Sequence, residues 1–247
     1  MSERSDKSSG PDVRVLPVDR WAAVVTDAWV ERLSARPSLR MCLPTGSTPL
    51  PVYAEMRSRQ VSWAAAEVLL LDEWVGLPPS EPGGCDATLR RELLDRVDLP
   101  PDRYRPIHAD APDLSAECGA VDAWLDGGLD LAILGVGVNG HLGMNEPGTP
   151  AENRTHLATL AATTIDSAAA YLGDRPRPAH GVTVGLADLL AAREVWVLAT
   201  GARKAEIVRE SLHGEARPAV PASLLSGHPN CVWWLDEAAA VSGLPRH

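Results

Sequence analysis

The sequence predicts an α/β protein built on a doubly wound, mostly parallel sheet with helices on both faces. Three observations predict it. Short runs rich in Val, Ile and Leu recur along the 247 residues, helical patterns lie between them, and the unusual glycine, acid and histidine clusters fall just after strand-like runs. Short uninterrupted apolar runs read as strands covered on both faces. Their alternation with helices implies βαβ units. In such sheets ligands bind outside the carboxyl ends of the strands.

The elements follow in order. Val13 to Val18 is the first strand-like run, and Trp21, Val24, Val25, Ala28, Trp29 and Leu33 then form one apolar stripe at helical spacing. Leu39 to Leu43 is the second run, with a helix over Pro49 to Arg59, and Val68 to Leu71 is the third, with a helix over Asp86 to Val97. A helix over Ser115 to Leu125 leads into the run Leu129 to Leu134. Val195 to Ala199 precedes a helix over Ala202 to Leu212, and Cys231 to Leu235 is the last run. Two Pro/Gly-rich stretches, Leu77 to Gly84 and Gly173 to Gly181, read as mobile loops over a site. The polar opening, Met1 to Gly10, reads as a disordered tail before a single domain over residues 11–247.

A net charge of -10 with no Lys/Arg run argues against nucleic-acid binding. A small anionic substrate is compatible, provided that its site is locally positive. Cys42, Cys85, Cys118 and Cys231 are far apart and form no CxxC, which argues against a disulfide framework or a zinc site and for a reducing cytoplasm. No apolar stretch is long enough for a membrane span. Neither a cofactor nor a metal is expected, and homo-oligomerisation is left open.

Three segments after strands carry chemistry. In MCLPTGSTPLPVY, Thr45, Gly46, Ser47 and Thr48 precede Pro49, so that exposed amides at a helix start offer an anion site. Gly46 allows close backbone approach and Thr48 can cap; an ordinary capped turn accounts for these residues equally well. In VLLLDEWVGLP an apolar strand ends in Asp72 and Glu73, whose side chains should point to opposite sides, leaving one to face a pocket as general base. In LDLAILGVGVNGHLGMNEPG the glycines Gly135, Gly137 and Gly140 match a dinucleotide pattern. That reading needs a helix at the third glycine, which Asn145, Pro147, Gly148 and Pro150 interrupt. The glycines read instead as a turn presenting His141, with Glu146 five residues on. Imidazole beside a carboxylate is suited to proton transfer near neutral pH.

LPTGSTP at Leu43 to Pro49, LDEWVGLP at Leu71 to Pro78, GVGVNGHLGMNEPG at Gly135 to Gly148, HGVTVGLADLL at His180 to Leu190 and TGARKA at Thr200 to Ala205 together resemble the glucosamine-6-phosphate deaminase family. That family shares a Rossmann-like fold, of the sugar-phosphate isomerase type, with 6-phosphogluconolactonases. The resemblance implies a sugar-phosphate substrate held by Thr45, Gly46, Ser47, Thr48, Gly137 and Lys204. It also implies that Asp72 moves a proton between C1 and C2 of the open-chain sugar. His141 would help open the ring, Glu146 would orient His141, and ammonia would leave C2 to give a ketose 6-phosphate.

Two departures stand out. Asn139 replaces the aspartate of the common DGH pattern, and a neutral amide can hydrogen-bond the imidazole but not stabilise it by charge. An arginine that assists phosphate binding in the family has no clear counterpart between Thr163 and His180, where Arg175 and Arg177 are the candidate substitutes. NGHLGMNEPG also resembles the galactosamine-6-phosphate branch, which makes the C4 epimer the working substrate. The competing readings are a 6-phosphogluconolactonase-like hydrolase and a non-catalytic sugar-phosphate sensor. The first is disfavoured by Asn145, Glu146 and Pro147 after the histidine, the second by the joint presence of Asp72, His141 and Glu146.

Overall fold

The architecture comes from a computed structural model that describes residues 10–79 and 81–240. The polar opening lies outside the described residues except for Gly10, an exposed bend. In chain order the strands are β1 (Asp12–Leu16), β2 (Arg40–Leu43), β3 (Glu67–Leu70), β4 (Asp72–Trp74), β5 (Tyr104–Arg105), β6 (Leu131–Gly135), β7 (His156–Thr159), β8 (His180–Thr183), β9 (Glu194–Ala199) and β10 (Cys231–Asp236). The α-helices are α1 (Val18–Ala35), α2 (Leu50–Met56), α3 (Cys85–Glu92), α4 (Leu114–Leu125), α5 (Ala162–Ser167), α6 (Ala169–Leu172), α7 (Leu186–Leu190) and α8 (Ala205–His213).

Seven strands form one sheet in the order β1-β10-β9-β6-β2-β3-β5, and every pair in it is parallel. All six apolar runs became strands of this sheet, for the reason that predicted them: β10 is buried along its whole length and β9 from Val195 onward. The boundary of the first run shifts. Pro17 ends β1, and Val18 opens α1 with 71% of its surface exposed. The apolar stripe of α1 turns Trp21, Val25, Ala28, Trp29 and Leu33 inward. There Trp29 packs its ring against Tyr53 and Trp63, with centroids 6.2 and 5.2 Å away.

From β2 the chain adds β3 and β5 in one direction; from β6 it adds β9 and β10 in the other, with β1 at the far edge. The order therefore reverses between β2 and β6, which pair through Met41 with Leu131 and Cys42 with Ala132. The loops leaving these two strands diverge and open a crevice at their carboxyl ends.

A second sheet, β4-β8-β7, is antiparallel and was not predicted. Asp72 of β4 lies opposite Thr183 of β8, and Trp74 opposite Gly181, so the stretch read as the loop Gly173 to Gly181 already enters a strand at His180. The excursion between β7 and β8 carries α5 and α6. Among the described residues no helix is long and apolar enough to cross a membrane.

Candidate active site

A cleft of about 730 Å³ occupies the crevice. The loops after β2, β6 and β9, the strand β4 and the α5–α6 excursion line it. Thr45, Gly46, Ser47, Thr48, Asp72, Gly137, His141 and Lys204 all face this cleft, so eight residues singled out from sequence converge on it. Glu146 and Asn139 do not line it and sit behind it, against His141 and, for Asn139, also against Thr163.

The loop after β2 keeps its amides available, but not by the cap expected of Thr48. Pro49 occupies the N-cap position of α2, and no side chain caps the helix. The Ser47 N–H donates to the Tyr171 hydroxyl across the cleft at 3.2 Å.

On the other side of β6, β9 runs into Gly201, whose N–H donates to both carboxylate oxygens of Asp236 at 3.0 Å. This fixes the 3-10 turn Ala202–Lys204. Lys204 donates from Nζ to the carbonyl of Val136 at 2.7 Å. Burial, and then the neighbouring Arg203, pull its pKa below the ordinary lysine value. Arg203 lines the same cleft.

Asp72 and Glu73 separate as strand geometry requires. Asp72 faces the cleft with 9% of its surface exposed. Burial, reinforced by the charge of Glu73, pushes its carboxyl up to about 7. Glu73 turns away and accepts the backbone N–H groups of Trp74 at 2.8 Å, Cys85 at 2.9 Å and Asp86 at 2.7 Å. It thereby anchors the first turn of α3.

The glycine-rich turn after β6 brings the Gly137 N–H to the carbonyl of His141 at 2.9 Å. A Cβ on Gly137 would overlap the imidazole of His141, so only glycine lets the ring lie where it does. His141 Nδ1 is 3.2 Å from the Thr164 hydroxyl of α5 and 3.6 Å from Glu146 Oε2. Glu146 also accepts from Asn139 Nδ2 at 2.9 Å and from the Ala161 N–H at 3.1 Å. Burial alone would raise the Glu146 pKa, but interactions with His141, Thr164 and the Ala161 amide outweigh it and hold the carboxyl at about 2. It is an anion throughout the neutral range.

Asn139 takes a different position from the one expected. Its amide does not contact the imidazole; its Oδ1 accepts the His141 backbone N–H at 3.2 Å while its Nδ2 clamps Glu146. An Asx-type turn of this kind satisfies a backbone donor two residues on. It couples the turn to the carboxylate, and among the described residues Glu146 is the carboxylate paired with the ring.

Neither proposed substitute for the absent arginine reaches the cleft. Arg175 is paired with Glu81, and Arg177 with Asp166 at 2.8 Å. Sequence reasoning also missed Thr164, Tyr171 and Arg203. The stretch from Ala162 to Leu172 follows no parallel strand, and its Thr163, Thr164, Asp166 and Ser167 read as an ordinary polar segment, so nothing local marked it. Arg203 stood beside Lys204 within the TGARKA segment and could have been read with it.

The cysteines at 42, 85, 118 and 231 are unpaired. Among the described residues no group of three or more His, Cys, Asp or Glu is arranged to hold a metal ion.

Residues 16–234 match the model of the family described as glucosamine-6-phosphate isomerases/6-phosphogluconolactonase. A glucosamine-6-phosphate deaminase of Streptomyces coelicolor is 40% identical over 225 residues, covering 88% of this chain and 86% of that protein. The solved structure of a monomeric glucosamine-6-phosphate deaminase superposes with a TM-score of 0.88 at 28% identity, over 92% of this chain and 98% of that one. A 6-phosphogluconolactonase from Trypanosoma brucei superposes with a TM-score of 0.75 at 24% identity, over 94% and 98%, and shares the fold.

Proposed function

The chain belongs to the glucosamine-6-phosphate isomerase/6-phosphogluconolactonase family, and from that premise we propose that it is an enzyme that isomerises and deaminates glucosamine 6-phosphate to a ketose 6-phosphate and ammonia. The observation that carries this reading is the convergence of Asp72, His141 and the Ser47 and Lys204 donors on one cleft. The phosphate binds to the amides and hydroxyls of Thr45 to Thr48 and to Lys204, and extends the sugar chain toward Asp72.

His141, oriented by Glu146, transfers a proton between the ring oxygen and the anomeric hydroxyl, so that the pyranose opens to the aldehyde. The Asp72 carboxylate takes the proton from C2 while the substrate's own ammonium group gives one to the C1 oxygen, forming an enolamine, and Asp72 then returns its proton to C1. The resulting C2 imine adds water and expels ammonia, leaving the C2 carbonyl of the ketose. A base held near neutrality by burial suits this step, because it is ionised at working pH and still basic enough to accept a carbon-bound proton.

Glucosamine is favoured over the galactosamine suggested by the NGH loop, since the similar enzymes carry the glucosamine name. The unpaired cysteines support assignment to a reducing cytoplasm.

The test measures ammonia release from glucosamine 6-phosphate and galactosamine 6-phosphate beside 6-phosphogluconolactone hydrolysis. Faster ammonia release from glucosamine 6-phosphate is expected. Ammonia from the galactosamine sugar alone would reverse the choice of epimer. Lactone hydrolysis without ammonia from either sugar would sink the deaminase reading.

A further inference from the structure

We propose that Arg203 is the second cation of the phosphate site, working together with the Thr45 to Thr48 loop and beside Lys204. The inference rests on the reading of the cleft as a sugar-phosphate site and adds a binding residue to it.

Three observations carry it. First, Arg203 lines the cleft, and among the described residues no carboxylate pairs with it, whereas Arg175 and Arg177, which do not line it, are neutralised by Glu81 and by the cleft-lining Asp166. Second, Arg203 and Lys204 are consecutive cations that face the same space in a chain of net charge -10. Two adjacent cations without an acid between them repel each other, an arrangement relieved when an anion binds both. Third, the opposing α5–α6 segment, from Ala162 to Leu172, brings no cation of its own; its one charged residue is Asp166.

The reach is suitable. β9 and β2 flank β6, so with strands about 4.8 Å apart their carboxyl ends stand about 10 Å from each other. A phosphate bound at the Ser47 amide lies between the two loops, within the span of an extended arginine from the β9 side. The roles then divide. Lys204, with Nζ tied to the Val136 carbonyl, is a fixed point charge. Arg203, exposed and untethered, supplies a planar fork for two phosphate oxygens and so fixes the rotation of the phosphate as well as its charge.

Because the phosphate stays distant from C1 and C2 throughout, Arg203 contributes equally to ground and transition states. Its loss is therefore expected in KM and in affinity for inorganic phosphate, with kcat preserved. Arg203→Gln should raise the phosphate Kd, measured by calorimetry, and the KM for glucosamine 6-phosphate together by about 10-fold or more, a charge-assisted hydrogen bond being lost. Arg203→Lys should recover only part of this loss.

Unchanged phosphate affinity in Arg203→Gln, or a loss confined to kcat, would overturn the proposal. Phosphate titration needs no turnover. A chain that binds phosphate through Arg203 and releases no ammonia would keep this inference and discard the deaminase reading. An unsubstituted chain that fails to bind phosphate would discard both.

Discussion

The two walls of the cleft are built by different means. The wall formed by the loops after β2 and β9 presents backbone amides, hydroxyls and cations toward open space; Arg203 is exposed, and the Ser47 amide has only the Tyr171 hydroxyl as partner. The opposite wall, formed by β4 and the histidine turn, is buried and largely committed to internal bonds. Asp72 is buried beside Glu73 and Cys85, Glu146 is held by three neighbours, and His141 rests on a glycine. The first wall can bind an anion with little preparation. The second holds groups at pKa values and orientations that solvent would not maintain. Damage to the first should appear in affinity, and damage to the second in turnover.

The sharpest break between the walls is Asp72→Asn. Loss of a positioned general base costs about 10²–10⁴ in rate, so kcat should fall by about that factor while phosphate affinity stays within about twofold. Retained turnover would mean that another group is the base. The same variant tests the burial of the charge. The folded chain holds the Asp72 proton up to about pH 7, against an ordinary value of 3.8, so this residue favours the fold at low pH and loses that contribution as pH rises from about 4 through 7. Asn cannot ionise. Thermal unfolding should show Asp72→Asn gaining stability relative to the unsubstituted chain between pH 5 and 8, by at most about 4 kcal/mol. In the unsubstituted enzyme kcat/KM should rise with pH through an acid limb near 7.

The next largest effect is expected at Gly137. A methyl group there overlaps the His141 ring, so Gly137→Ala must displace the imidazole from Thr164 and Glu146. A displacement of about 1 Å is worth about 10²-fold in rate. Phosphate binding, measured by calorimetry, should hardly change. Weakened phosphate binding with intact kcat would show that the glycine serves the anion and not the imidazole.

Asn139 should matter less. Asn139→Ala removes the donor to Glu146 and the acceptor for the His141 N–H, at a cost of about 1–2 kcal/mol in stability. Glu146 keeps the Ala161 amide and its proximity to the imidazole, so a fall in kcat of about 10-fold is expected. A loss as large as that of Asp72→Asn would mean that the amide takes part in proton transfer directly.

The contrast between the walls also explains what the sequence disclosed. Six of the seven parallel strands were legible because burial leaves an apolar run, most completely in β9 and β10 and least in the edge strand β1, while the two-residue β5 was too short to show one. Thr45 to Thr48 and Lys204 of the binding wall were legible because each loop follows such a run, although Arg203 beside Lys204 was passed over. β4 and β8 were not, since their few residues include Asp72, Glu73, His180 and Gly181, and their pairing joins segments more than a hundred positions apart. For the same reason Thr164 and Tyr171 could not be foreseen: the excursion between β7 and β8 carries them over the cleft, and no local pattern records that path. Asn139 was noticed as a departure, but its partners depended on how the turn folds back toward Glu146.

Tyr171 offers the finest test of the comparison, because it joins the two walls across the cleft. Its hydroxyl accepts the Ser47 N–H at 3.2 Å, where a phosphate oxygen would otherwise be received. Binding must then exchange one acceptor for another. Tyr171→Phe removes the competitor and leaves the amide unpaired until the anion arrives. With a single hydrogen bond worth about 0.5–1.5 kcal/mol net, phosphate should bind about 2–10-fold more tightly to the variant, with kcat little altered. Weaker binding would reverse the assignment: the phenol would then be a ligand of the phosphate, and the α5–α6 segment a part of the binding wall.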